Sequence, residues 1–154
     1  MAPNRPYFDT SYLVRLYLRD PGFEAVRGIA DRSDLISSAW HAQAEVVAVF
    51  HRAFRERRLD HVAYLAVLEQ FLADAGKGLF QWLPLTMPVQ RRVEKFFQNA
   101  SVSTFLRSAD ALHLACAAEG GFHEVFSNDR HLLAAAPLFG LKGINRIERN
   151  PPRL

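Results

Sequence analysis

Short apolar runs alternate with longer stretches of helical periodicity along the whole chain. Tyr7 and Phe8 form an apolar pair ended by Asp9-Thr10-Ser11, which reads as a strand followed by a helix starting near Asp9. Tyr12, Leu13, Leu16 and Tyr17 continue that helix until Pro21-Gly22 ends it. A short helix is predicted over Phe23 to Ala30 and a brief strand over Leu35 to Ser38. From Trp40 to Arg57 the pattern is helical, with Val46, Val49, Phe50, Ala53 and Phe54 on one side. Another helix runs from Asp60 to Ala75, stopped by Gly76 and Gly78. Phe80 to Leu85 reads as a strand that Pro84 confines to an edge or an end. Pro88 suits the first turn of a helix reaching about Asn99. Arg107 to Glu119 is strongly helical and closes at Gly120-Gly121. Val125-Phe126 reads as a strand, Arg130 to Ala136 as a short helix, and Ile144 to Ile147 as a last strand. Strands alternating with helices imply a parallel sheet covered on both faces.

Composition narrows the class. The 154 residues suit one domain, expected over residues 1–148, with a frayed tail over 149–154. A formal charge of +3 permits a polyanionic partner without requiring one. The one cysteine, Cys116, cannot form an internal disulfide and sits in an apolar helical stretch, where a small core residue is expected. Met1 to Arg15 lacks the apolar core of a signal peptide, and no apolar run is long enough to span a bilayer. These features point to a cytoplasmic protein with no membrane partner.

Candidate chemistry lies in the acids. Ligands of an open parallel sheet bind at the carboxyl ends of its strands. Asp9 and Asp129 each follow a strand directly, so both belong at one edge. Glu45 and Asp110 lie inside helices. Asp110 shares a stripe with Leu106, Leu114 and Ala117, and Glu45 shares a face with Val49. A carboxylate on a buried stripe is costly unless paired, hydrogen-bonded or metal-bound. Several carboxylates resist joint ionisation, and a divalent cation reverses that balance. Oxygen-only ligands suit Mg²⁺ or Mn²⁺. The six histidines show no clustered ligand spacing, which argues against zinc. Simpler roles stay open for each acid alone. Asp9 and Asp129 stand where helix caps stand, Glu45 could face water, and Asp110 could pair with Arg107 or His113.

Four segments together resemble the PIN-domain family, and within it the VapC-type toxins of toxin–antitoxin pairs. They are Tyr7-Phe8-Asp9-Thr10-Ser11, Ser37-Ser38 followed by Glu45, Leu106 to Ala115 around Asp110, and Phe126-Ser127-Asn128-Asp129-Arg130-His131-Leu132. The resemblance implies a three-layer α/β/α fold with a central, mostly parallel, short-stranded sheet. It implies a Mg²⁺- or Mn²⁺-dependent endoribonuclease, hydrolysing RNA phosphodiester bonds by metal-activated water. It also implies a homodimer and a small VapB-like antitoxin. On this basis Asp9, Glu45, Asp110 and Asp129 are the candidate catalytic residues. Asp9 and Asp110 are the first choice for direct ligands, and Glu45 and Asp129 serve a second ion or its waters. Thr10, Ser11 and Ser127 are candidates for orienting a ligating carboxylate or its water.

Arg107 and Arg130 neighbour the acids, and Arg52 and Arg55 crowd the end of one helix, so these four are candidate RNA contacts. The surplus of apolar residues between Trp40 and Ala75 is a candidate dimer or antitoxin surface. The alternatives are a catalytically silent PIN-like scaffold that binds RNA or protein, and a Mg²⁺ phosphatase. The latter would normally show Asp-x-Asp after the first strand, where this chain has Asp9-Thr10-Ser11.

Overall fold

The computed structural model describes residues 2–148, so the expected tail over 149–154 lies outside the described residues. Among the described residues there are four short strands: β1 (Ile36–Ala39), β2 (Phe80–Leu83), β3 (Glu124–Phe126) and β4 (Lys142–Ile144). β1 pairs with β2 and β3 with β4, both in parallel. Tyr7 and Phe8 join the two pairs through parallel bridges to Ser37 and Phe126. Phe8 N–H donates to Ser37 O at 2.9 Å, and Phe126 N–H donates to Tyr7 O at 2.9 Å. The spatial order is therefore β2, β1, Tyr7–Phe8, β3, β4, with the first segment at the centre.

Alternation along that central segment divides the core. Tyr7 joins an apolar cluster with Val89, Leu114 and Leu132, whereas Phe8 joins one with Tyr12, Val46, Phe50 and Phe71. Successive side chains of an extended segment point to opposite faces, so two adjacent aromatics serve both layers. Helices α5 (Met87–Asn99) and α6 (Ser108–Glu119) cover the Tyr7 face. Helices α2 (Phe23–Asp31), α3 (Ala42–Arg55) and α4 (His61–Gly76) cover the Phe8 face.

Local signals set most element ends. Asp60 caps α4 by accepting from Ala63 N–H at 2.7 Å, and Thr86 caps α5 with Pro88 in its first turn. Arg57, with φ 59°, turns the chain out of α3. Pro84 supplies no N–H, and β2 stops at Leu83 on the sheet edge. Two elements differ from the periodicity. The first helix is only α1 (Thr10–Leu13), tightening into a 3₁₀ turn over Val14–Leu16. The last strand lies at Lys142–Ile144, not Ile144–Ile147. Beyond Ile144 the backbone leaves the ladder, because Arg146 N–H donates to the Tyr12 hydroxyl and Ile147 N–H to Asn145 Oδ1. Ile147 then packs over Gly22, whose φ of 87° and lack of Cβ admit it; a Cβ there would lie 2.3 Å from Ile147 Cγ2.

Candidate active site

The four acids share one architectural position. Asp9 is the N-cap of α1 and Asp129 the N-cap of α7 (Arg130–Ala135). Glu45 and Asp110 lie in the first turns of α3 and α6, nearer the helix starts than the helical stripes suggested. All four line a single cleft of about 860 Å³. The fold places helix N-termini around it, an arrangement that favours negative charge.

Each carboxylate is held differently. Asp9 is 4% exposed; Oδ1 accepts from Ser11 Oγ at 2.6 Å and Tyr12 N–H at 3.1 Å, and Oδ2 accepts from Ser127 Oγ. Asp129 Oδ1 accepts from His131 and Leu132 N–H at 2.8 and 2.9 Å. Arg107 spans two acids, donating from Nε to Asp110 Oδ2 at 3.1 Å and from Nη2 to Asp129 Oδ2 at 3.2 Å. Glu45 Oε1 accepts from Thr10 Oγ1 at 2.9 Å and lies 2.7 Å from His113 Nε2. Asp110 Oδ1 and Glu45 Oε2 have no hydrogen-bond partner among the described residues.

Thr10, Ser11 and Ser127 thus lie against the acids. Arg52 and Arg107 line the cleft, whereas Arg55 and Arg130 are exposed outside its lining. Asp110 pairs with Arg107, and His113 turns away from it towards Glu45 and Tyr7. Folding also assembles a group that spacing did not show. His41, Glu45 and His113 place one ligand atom each within 4.8 Å of one another. The i,i+4 spacing of His41 and Glu45 carried half of that signal. Contact with His113, 68 residues from Glu45, carried none.

The electrostatics divide the cleft. Burial pushes the Asp9 carboxyl above its ordinary value, against the opposing charge of His113 and the bonds from Ser11 and Ser127. Burial also raises Asp110, against the pull of Arg107. For Glu45 burial works upward, but the hydrogen bond and charge of His113, with the Thr10 bond, outweigh it and hold the group below its ordinary value. His41 is lowered, chiefly by burial. Cys116 is buried, and burial pushes its thiol up to about 11, far from a reactive thiolate.

The PIN-domain family model matches residues 7–137. The chain belongs to the PIN-domain family. Comparison with curated protein sequences found no match. Among solved structures, this PIN domain is similar to VapC20 of Mycobacterium tuberculosis, described as a sarcin–ricin loop cleaving toxin. The TM-score is 0.63 and the identity 17%, over 84% of this chain and 93% of that one. It is also similar to VapBC2 of Rickettsia felis bound to promoter DNA, with TM-score 0.62 and 12% identity over 92% and 98% of the two chains. A third is FitAB bound to a DNA fragment, with TM-score 0.67 and 15% identity over 96% and 99%. At these identities the likeness is one of fold.

The donor set of this PIN domain fits a hard divalent cation. Four carboxylates face one cleft, Arg107 is the one arginine in ion-pair contact with them among the described residues, and two carboxylate oxygens lack partners. Burial raises the carboxyl groups of Asp9 and Asp110, the charge of Asp129 adds to the rise at Asp110, and a bound cation would offset both.

Proposed function

We propose that this chain is the ribonuclease toxin of a toxin–antitoxin pair, using one or two Mg²⁺ or Mn²⁺ ions held by Asp9, Glu45, Asp110 and Asp129. The observation that carries this reading is the convergence of those four carboxylates on one open cleft, two of them raised by burial. Asp9 and Asp110 would be the direct ligands, with Glu45 and Asp129 serving a second ion or its waters. A divalent cation bound there would supply a Lewis acid for the phosphodiester and would acidify water.

The chain's own groups then have defined tasks. Ser11 and Ser127 fix Asp9 from both sides, so its carboxylate keeps one orientation. Thr10 does the same for Glu45. Arg107 and Arg52 add positive charge to the cleft wall, where an RNA phosphate would lie. Val14, Ala48 and Val49 supply an apolar part of the cleft wall.

Val62, Leu65 and Leu72 of α4 are exposed, and they offer an apolar surface to an antitoxin or a second copy. VapBC-5 of Mycobacterium tuberculosis, another similar structure, is described as a member of the VapBC family of toxin–antitoxin systems, which supports a VapB-like partner here. No helix among the described residues is long and apolar enough to cross a membrane, and action on cellular RNA would call for a cytoplasmic location.

Expression of the chain alone, followed by mapping of RNA ends, tests this function. Wild type should arrest growth and produce discrete new ends, and Asp9→Asn should do neither. Identical end maps for the two proteins would make the domain a silent scaffold.

A further inference from the structure

Three groups converge on one oxygen of Glu45. Thr10 Oγ1 lies 2.9 Å, His113 Nε2 2.7 Å and His41 Nε2 3.4 Å from Oε1. None of them engages Oε2. His113 is 1% exposed, and its other nitrogen, Nδ1, lies 2.7 Å from the fully buried Tyr7 hydroxyl. A carboxylate only accepts, so the ring presents an Nε2 hydrogen to Glu45 Oε1, and its Nδ1 shares the other hydrogen bond with the Tyr7 hydroxyl. The bonds therefore link the Tyr7 hydroxyl through His113 Nδ1 and Nε2–H to Glu45 Oε1. Tyr7 is held by the sheet centre and packs edge-on against the His113 ring at 5.9 Å. Neither Tyr7 nor His113 lines the cleft.

We propose that Tyr7 and His113 are positioning residues, a buried relay that pins Oε1 of Glu45 and so reserves Oε2 for the divalent cation. This rests on the metal-binding reading of the cleft. A pinned carboxylate cannot rotate to satisfy both oxygens within the protein, and it presents the cation with one preset atom. Partners that orient a ligating group in this way commonly change metal affinity by about 10–100-fold. The relay and a ligand role for His113 are mutually exclusive: a nitrogen that holds its hydrogen on Oε1 has no lone pair left for a metal.

The test is Mn²⁺ titration of the full chain by calorimetry, without RNA, for wild type, Tyr7→Phe, His113→Leu and His113→Gln. Circular dichroism at the titration temperature checks folding. Tyr7→Phe and His113→Leu should bind Mn²⁺ about tenfold or more weakly. His113→Gln, whose amide N–H can replace Nε2–H, should recover most of the affinity. If His113→Leu fails to fold, Tyr7→Phe decides, because it removes only a hydroxyl. Wild-type affinity in either folded variant overturns the relay while leaving the metal reading intact. Nitrogen coupling to bound Mn²⁺ in electron spin-echo spectra also overturns it, by making a histidine a ligand. Absence of Mn²⁺ binding by wild type overturns both.

Discussion

Across one cleft, the two groups of acids meet their burial in opposite ways. Asp9 and Asp110 are buried, and neither the charge of His113, the hydroxyls of Ser11 and Ser127 nor one exposed arginine offsets that burial, so both carboxyl groups are pushed up. Glu45 is also partly buried, yet His113 and Thr10 hold it down. One side of the cleft is short of positive charge and the other is already satisfied through Oε1. The difference teaches where a cation would have most to gain: it would stabilise the Asp9–Asp110 side electrostatically and would find on the Glu45 side a carboxylate oriented in advance.

Activity should separate the two sides most strongly. Asp9→Asn is expected to lower RNA cleavage by at least about a thousandfold, equivalent to about 4 kcal/mol of transition-state stabilisation. Glu45→Gln should cost less, about a hundredfold. Single-turnover rates on one RNA check both, and equal losses would erase the distinction.

Stability against pH gives the next contrast. A buried acid raised above its unfolded value favours the folded state fully below the unfolded pKa, and that contribution is lost as pH rises through the folded pKa. Asp9 and Asp110 therefore weigh against the metal-free fold at neutral pH, and Asp110→Asn should raise its melting temperature there. Glu45 has the reverse sign: its contribution is present above the unfolded pKa and is lost as pH falls through the folded one. Glu45→Gln should lower the melting temperature at neutral pH and change it little in acid. Melting curves at several pH values, in chelator, test the pair. Mn²⁺ at a hundred times its Kd should add about 2.7 kcal/mol to wild type.

Much of this site was legible in the chain. Asp9 and Asp129 follow strands and precede helices, so their placement needed only the alternation of elements. Asp110 stood out as an acid on an apolar stripe. His113 did not, although α6 is buried almost all round and any polar residue in it must find a partner. Its partners lie 68 and 106 residues away, and only the parallel pairing at Tyr7 brings them together. The last strand lies earlier than the pattern predicts: Ile144 and Ile147 are the strongest β formers there, whereas side-chain bonds from Tyr12 and Asn145 draw the backbone away after Ile144.

Smaller effects sharpen the picture. Arg107→Ala should weaken RNA binding across sequences and reduce the slope of log affinity against log salt by about 0.7, the value for one single-strand phosphate contact. An unchanged slope would leave Arg107 as a partner of Asp110 and Asp129 alone. Cys116→Ala should leave cleavage unchanged, since a buried thiol raised to about 11 takes no part in the chemistry.

The most direct measurement is RNA cleavage by purified chain as a function of Mn²⁺ concentration, for wild type and Asp110→Asn. Wild type should be inactive in chelator and saturate with Mn²⁺, while the folded Asp110→Asn protein stays inactive throughout. Cleavage by wild type in chelator, or full cleavage by Asp110→Asn, would contradict a metal-dependent ribonuclease built on these four acids.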